Sequence, residues 1–434
     1  MATVSVIGLG KIGLTLAVQI ASQGNHQVIG CDIDSRVISK VNAGVAPFEG
    51  EPQLAELLAQ AVKENQLRAV EDTSSAVVQS QIVVIVVPLV VDRNGDPEWR
   101  NIDEVSRIVG ASMAPGTLVV YETTLPVGTT RDRFGSILQE ASSFVPERDF
   151  FLAYSPERVF SGRVFENFRN YPKLVGGVGP MSLERAVDFY ESSITFDNRS
   201  DLRRPNGVWP LGSTEAAELA KLAETTFRDV NIGLANQFAI FAEDRGLDVY
   251  SIIEACNSQP FSMIHQPGVA VGGHCIPVYP HFYLMGDPDA TIVKEARTAN
   301  LSMPRHAVDK ISEELGSLEG LRVVVLGLAY RGGVKESAFS GAFELVKELT
   351  TRGANASVHD PLYSDDEIKN LGLAPHSLGT DVDVAVLQTN HESYLHLNDS
   401  DLPGCRLIID GRNFLLPDLT SKIQTLRLGV GKIN

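Results

Sequence analysis

With 434 residues, 44% of them hydrophobic and 21% charged, the chain is long enough for two or three domains with full cores. A net charge of −17 with no block of like charge argues against nucleic acid or an anionic membrane surface as a partner, so an anionic substrate would need its own basic pocket. The four cysteines, Cys31, Cys256, Cys275 and Cys405, have neither the paired spacing of a zinc ribbon nor the density of a disulfide scaffold, and reduced cytoplasmic thiols are the expectation.

The opening MATVSVIGLG lacks a basic n-region and a cleavage pattern and runs straight into a strand, so no signal peptide is expected. Strands are predicted at Val4–Ile7, Gln27–Cys31, Ile82–Val87 and Leu118–Tyr121, with amphipathic stretches such as Ile12–Ser22 and Leu54–Glu64 between them. That alternation is the rhythm of a doubly wound parallel sheet. The longest apolar run, Ile82–Val91, contains Pro88 and is about half of the roughly twenty residues of a membrane span. It reads as a buried parallel strand. From Thr214 to Arg245 only Gly233 interrupts a helical pattern that carries Glu215 in its first turn and stops at Gly246. One helix here would reach roughly 45 Å at 1.5 Å per residue, more than one small sheet can seat, so it is expected to link two domains. Near residue 320 the rhythm resumes: LRVVVLGLAYRGG echoes TVSVIGLGKIG, with strands predicted at Asn355–His359, Val384–Gln388 and Leu407–Ile409. The expected fold is α/β, two Rossmann-like doubly wound domains joined by a long central helix and helical segment, with domains at 1–205, 206–315 and 316–434.

Gly8-Leu9-Gly10-Lys11-Ile12-Gly13 follows a predicted strand and opens a predicted helix, the context in which GxGxxG has mechanical meaning. Gly8 permits the tight turn, Gly10 lets the backbone approach a pyrophosphate, and Gly13 allows close packing of helix on strand. Asp32 ends the second predicted strand, where a carboxylate bonds the adenosine ribose diol and repels a 2′-phosphate. NAD is the expected cofactor, and Arg36, close by, keeps NADP as the minor option.

The second chemical signal is GVAVGGHCIPVYPHFY, residues 268–283, a glycine-rich loop that ends on His274 and Cys275 and is closed by Pro277 and Pro280. Three readings compete for the thiol. A metal site of His274, Cys275 and His281 lacks the usual two-plus-two spacing. A space-filling cysteine is the common fate of a lone thiol, but Gly268, Gly272 and Gly273 suggest a backbone that passes close to something. A covalent nucleophile is the third. Joined to an NAD site, a nucleophilic thiol points to aldehyde oxidation: a thiohemiacetal gives up hydride, a thioester results and water releases an acid.

Together with these, the motifs FEGEPQL (48–54), VVP (86–88), ETTLPVGTT (122–130), YSPERV (154–159), PKLVGG (172–177), QPGVAVGGHCIP (266–277), ARTANLSMP (296–304), GLAYRG (327–332), HDP (359–361) and DGRN (410–413) resemble the UDP-glucose/GDP-mannose dehydrogenase family over nearly the whole chain. SPERV and KLAETTFRDVNI look most like the branch acting on UDP-N-acetylhexosamines. The resemblance implies an N-terminal NAD domain, a central helix at a homodimer interface, and a C-terminal domain holding the nucleotide of a nucleotide-sugar substrate. It implies oxidation of a sugar primary alcohol to a uronic acid with two NAD consumed. By motif, Cys275 is the nucleophile, Lys221 stabilises oxyanions with Thr225 on the same helix face, and Thr124 and Glu157 handle water or protons. Lys11, Ile12, Pro88 and Thr124 join the cofactor site. Glu157, Arg158, Lys221, Gly272, Gly273, Tyr330, Arg331 and Arg412 are the expected substrate contacts. Lys173 could be an ordinary surface charge and stays outside this set.

The departures gather around the same chemistry. Thr225 stands where the family usually has asparagine, Tyr279 where it has aspartate, and Phe261 and Ala338 where it has arginines; its GLAYKG-D pattern becomes GLAYRGG over 327–333, and its PGPGVGG run becomes PGVAVGG. The substrate could therefore be an unusual nucleotide sugar or another nucleotide-linked alcohol. Two alternatives stay open at this stage: a two-electron dehydrogenase that stops at or starts from the aldehyde, and a nucleotide-binding homologue without catalysis.

Overall fold

The computed structural model describes residues 2–432 apart from 24–25, 93–94, 416–418 and 420. It divides into two compact units, Met1–Ala223 and Glu224–Asn434.

In the first unit the described residues form an eight-stranded sheet. Its strands are β1 (Thr3–Ile7), β2 (Gln27–Cys31), β3 (Leu67–Val70), β4 (Ile82–Ile85), β5 (Leu118–Tyr121), β6 (Phe151–Tyr154), β7 (Lys173–Gly177) and β8 (Val208–Ser213). They lie in the order β3-β2-β1-β4-β5-β6-β7-β8, all pairs parallel except β6 with β7. The order reverses between β1 and β4, which is where a doubly wound sheet opens its ligand crevice beyond the strand ends. Central strands are apolar along their whole length because helices cover both faces: Val83, Val84 and Ile85 of β4 are fully buried, each stabilising by about 1.5–3 kcal/mol relative to exposure. Two apolar cores result, one on each face, with Leu14 and Val18 of the first helix in one and Tyr121 and Phe134 in the other.

The long helix runs Thr214–Asp244 without interruption, one residue short of the expected end. In the second unit the described strands β9 (Arg322–Leu326), β10 (Asn355–His359), β11 (Val384–Leu387), β12 (Leu407–Asp410) and β13 (Gln424–Arg427) form a wholly parallel sheet in the order β10-β9-β11-β12-β13. The mostly parallel first sheet, the wholly parallel second sheet and the helical segment between them in sequence are the expected α/β class.

Some elements differ from the sequence reading. Tyr279–Gly286 is a helix, so Pro280 does not close a loop but sits in a first turn, where its missing N–H would have had no partner. Thr291–Leu315 is a helix that carries Pro304 inside it. The strands β3, β6, β7, β8 and β13 had no separate expectation. No helix among the described residues is long and apolar enough to cross a membrane.

Candidate active site

The first glycine loop is built by strict local demands. Gly8 adopts φ +95°, outside the range side chains favour, and its N–H donates to the Cys31 carbonyl at 2.8 Å. A Cβ on Gly13 would lie 1.8 Å from the Gly8 carbonyl oxygen, so the first helix could not approach β1. A Cβ on Gly10 would meet nothing within 4 Å, leaving an open cradle at the helix N-terminus that fits a dinucleotide phosphate. Asp32 accepts from the Leu9 N–H at 2.8 Å and the Asp34 N–H at 2.9 Å, which fixes its carboxylate beside the loop. Lys11 and Gly10 are exposed, Ile12 half-buried. Arg36 turns away to a bidentate pair with Asp34 and is 87% exposed. That pair holds the Asp34 carboxyl down at about 2.

These contacts separate two glycine substitutions. Gly13→Ala is expected to cost about 1–3 kcal/mol in denaturant unfolding, because a backbone carbonyl must move. Gly10→Ala is expected to leave stability within about 0.5 kcal/mol yet weaken NAD binding about tenfold in a titration, since the new methyl occupies only the cofactor's space. Equal stability losses in the two variants would contradict this assignment.

Beyond the C-terminal ends of β5 and β6 lies a buried charged cluster. Glu122 directly follows β5 and is 2% exposed, Glu157 lies in the loop after β6, and Lys173 opens β7. Lys173 Nζ donates to Glu122 Oε2 at 3.0 Å and to Glu157 Oε2 at 2.7 Å, and stands 4.8 Å from the centre of the Tyr190 ring. Tyr190 donates its phenol proton to Glu122 Oε1. Lys221, 9% exposed, donates to the Glu157 carbonyl at 2.6 Å, so it is no solvated lysine on a helix face. The Arg158 N–H donates to Glu157 Oε1 at 2.8 Å, and Arg158 Nη1 to the Pro172 carbonyl. Burial, reinforced by the charge of Glu157, pushes Glu122 up to about 7 against the pull of Lys173. Burial acts on Glu157 in the same sense, but Lys173 and its hydrogen bonds outweigh it and hold that carboxyl below its usual value. Lys173, left out of the expected site, is thus no surface charge: at 5% exposure it is the ammonium between two carboxyls.

Thr124 is buried in the segment that follows β5. Its neighbour Thr123 donates to the Val87 carbonyl at 2.6 Å, next to the exposed Pro88. Glu218, at 0% exposure, takes the Gly128 and Thr130 N–H groups and the Thr130 hydroxyl, tying the end of the ETTLPVGTT segment to the long helix.

In the second unit the Cys275 loop lies against two other expected motifs. Val269 N–H donates to the Gly411 carbonyl at 3.1 Å, and a Cβ on Gly268 would be 2.8 Å from Arg412 Nη1. Arg412 Nε donates to the Gln388 carbonyl at 2.6 Å. Gly272 and Gly273 face Tyr330: added Cβ atoms would stand 2.6 Å from its Cβ and 3.0 Å from its ring. Gly273 also has φ +96° and donates to the Ala338 carbonyl at 2.8 Å. The close neighbour that these glycines announce is therefore the chain itself. Cys275 is exposed, and its carbonyl accepts from the Tyr279 N–H at 2.9 Å as the chain enters the helix Tyr279–Gly286. His274 pairs with Glu336 at 3.3 Å. Arg331 is exposed, while Thr225 is buried on the long helix one turn after Lys221.

Residues 2–194 match the NAD binding domain of the UDP-glucose/GDP-mannose dehydrogenase family, 215–301 its central domain and 324–417 its UDP binding domain. The UDP-N-acetyl-D-mannosamine dehydrogenase of Pyrococcus horikoshii is 33% identical over 424 residues, 95% of this chain and 96% of its own. The chain belongs to the UDP-glucose/GDP-mannose dehydrogenase family. Membership bears out the resemblance read from the motifs, and makes this family member an NAD-dependent nucleotide-sugar dehydrogenase. Another relative, the NDP-N-acetyl-D-galactosaminuronic acid dehydrogenase of Ralstonia nicotianae, is 29% identical over 425 residues, 94% of this chain and 95% of its own. Among solved structures, the Pyrococcus horikoshii UDP-D-ManNAc dehydrogenase has a TM-score of 0.85 at 30% identity, covering 99% of this chain and 100% of its own.

Sequence reasoning missed Glu122 and Tyr190 and set Lys173 aside. A signal was present, since Glu122 and Lys173 each abut a fully apolar strand run, where an unpaired charge would be expensive. It also missed Asp360. This carboxylate follows β10 as Asp32 follows β2, and accepts from Leu328 N–H and Ala329 N–H at 2.7 and 2.8 Å. The echo between the two glycine loops thus extends to the acid that braces each.

Proposed function

We propose that the chain oxidises the C6 primary alcohol of a UDP-N-acetylhexosamine to the uronic acid in two hydride transfers, through a thiohemiacetal and then a thioester on Cys275. The support is the exposed Cys275 thiol, carried on a fixed glycine turn in a chain of this family. Relatives named for N-acetylmannosamine and N-acetylgalactosaminuronic acid substrates point to the acetamido sugar. NAD, when bound, would supply the hydride acceptor for both oxidations. The chain's own residues do the rest: Gly8, Gly10, Gly13 and Asp32 seat the dinucleotide, and the Cys275 thiolate adds to the aldehyde carbon. The Lys221 ammonium stabilises the oxyanion of each tetrahedral adduct, as oriented cations do where charge develops. Glu157 takes a proton from the water that attacks the thioester, with Thr124 and Thr225 as hydroxyl partners. Tyr330, Arg331 and Arg412 contact the nucleotide sugar.

A second reading, one oxidation per substrate, is favoured by one observation: Tyr279, where the family has a carboxylate, opens the helix after Cys275. A panel of UDP-, GDP- and dTDP-sugars with NAD decides between them. Two NADH and one uronic acid per UDP-N-acetylhexosamine are expected; one NADH with an aldehyde left over would favour the second reading, and no NADH on any sugar would reject both.

We infer the three-part division at 1–205, 206–315 and 316–434. We also infer a homodimer through the long helix, supported by Phe227, Leu234, Phe238 and Phe241, which share a face and are 59, 44, 40 and 59% exposed. A cytoplasmic setting is supported by four free cysteines.

A further inference from the structure

Around Glu157 the buried charges are unequal. Glu122 and Glu157 both bond to the single ammonium of Lys173, at 3.0 and 2.7 Å. Two further groups come from the elements packed around the pair: Tyr190, from the helix Pro180–Ser193, bonds the second oxygen of Glu122, and Lys221 of the long helix reaches the main chain of Glu157. Glu122 has no exposure to relieve it, and Lys173 has 5%. Two carboxyls that share one cation away from water do not ionise independently; they titrate as a unit and keep one proton into the neutral range. Both oxygens of Glu122 are fixed by donors, so its carboxyl is held in place beside Glu157 instead of sampling rotamers.

We propose that Glu122 and Glu157 are a proton-sharing pair, in which Glu122, oriented by Lys173 and Tyr190, relieves Glu157 of the proton it takes from the hydrolytic water. Glu122, Lys173 and Tyr190 are positioning residues that act through Glu157, and the inference rests on the reading of Glu157 given above. As water oxygen bonds to the thioester carbon, its proton goes to the Glu157 carboxylate and the carbonyl electron pair moves onto oxygen. Collapse of that adduct expels the Cys275 thiolate and leaves the carboxylic acid, which ionises to solvent. The proton on Glu157 passes to Glu122, which must be ionised to receive it, and leaves Glu122 for solvent before the next turnover. Acid formation therefore rises with pH as the pair gives up its shared proton, through about pH 7.

The test is the pH profile of kcat for uronic acid formation by the full-length protein with NAD and a UDP-N-acetylhexosamine. Glu122→Gln keeps the shape and can still accept from Lys173, but cannot titrate. It is expected to lose the limb near neutrality and to lower kcat about tenfold to a hundredfold at pH 8, with KM within about twofold. Tyr190→Phe removes one donor to the Glu122 carboxylate and is expected to move the limb up by about half to one pH unit. In substrate-free protein, difference infrared spectra should show a protonated-carboxyl band that fades through about pH 7 in the wild type and is absent from Glu122→Gln. An unchanged limb and kcat in Glu122→Gln would overturn the proposal. Should that variant not fold, an unmoved limb in Tyr190→Phe would do so. The infrared band separates this from failure of the functional reading: an inactive wild type whose band still titrates rejects the reaction assigned to Glu157, and a wild type with no such band rejects the pair.

Discussion

Cys275→Ala is expected to stop oxidation at the aldehyde: NADH per UDP-N-acetylhexosamine falls from two to one or less, and uronic acid formation drops by about a thousandfold or more. The first oxidation needs only removal of a proton and a hydride from the alcohol. The second needs a tetrahedral carbon that can release hydride, and the thiolate makes it. Because Cys275 is exposed, its replacement removes no core packing, and the unfolding midpoint should stay where it is. Lost acid with retained stability isolates the chemistry; a carbonyl reagent added to the assay should then trap the accumulating aldehyde. Full acid yield from the alanine variant would rule out the thioester route.

Arg297→Ala is expected to be the most destabilising single change in the second unit, at about 3–5 kcal/mol in denaturant unfolding. Arg297, 6% exposed, donates from Nη1 to Asp229 Oδ1 at 2.5 Å, and Asp229 is fully buried. Asn300 Nδ2 also donates to Asp229 Oδ1, at 2.8 Å, Asn236 Nδ2 to Asn300 Oδ1 at 2.9 Å, and Gly268 N–H to Asn236 Oδ1 at 3.0 Å. The chain of bonds runs from the helix Thr291–Leu315 through the long helix to the start of the Cys275 loop. A Cβ on Gly233 would stand 3.0 Å from the Ala296 carbonyl, so the two helices lie too close for water to take the place of the guanidinium. Burial already pushes Asp229 above its usual value in spite of Arg297. Without the arginine that shift grows. A carboxyl whose folded-state pKa exceeds its unfolded value binds more protons when folded, so the variant should lose stability as pH rises above the ordinary carboxyl range. Replacing both partners, Asp229→Asn with Arg297→Met, should recover part of the loss, because no buried charge remains unpaired. A loss below about 1 kcal/mol in Arg297→Ala would show the pair to be dispensable.

Much of this chain is legible one segment at a time. Gly8 and Gly13 are demanded by a turn and a helix contact within six residues, so their pattern reads directly as a dinucleotide loop. The apolar runs of β1, β4, β5 and β9 declare strands covered on both faces, and the uninterrupted pattern from Thr214 declares one helix. Cys275 in its glycine turn is visible for the same reason. The partner of Arg36 is less so: the bidentate pair with Asp34 two residues away shows only in the structure.

The sequence by itself determined the α/β class, the cofactor loop and the thiol, because backbone conformation and apolar periodicity are properties of neighbouring residues. Only the tertiary structure decided what surrounds them. Gly272 and Gly273 were needed by Tyr330, more than fifty residues away in the chain. Glu122, Glu157, Lys173 and Tyr190 form one cluster because β5, β6 and β7 lie side by side and β7 runs against β6, which brings Lys173 to the strand ends that carry the two carboxylates. Pairing of charges across strands depends on which strands are adjacent, and hydrogen bonds that join the backbone of a sheet say nothing in any one strand about its neighbour.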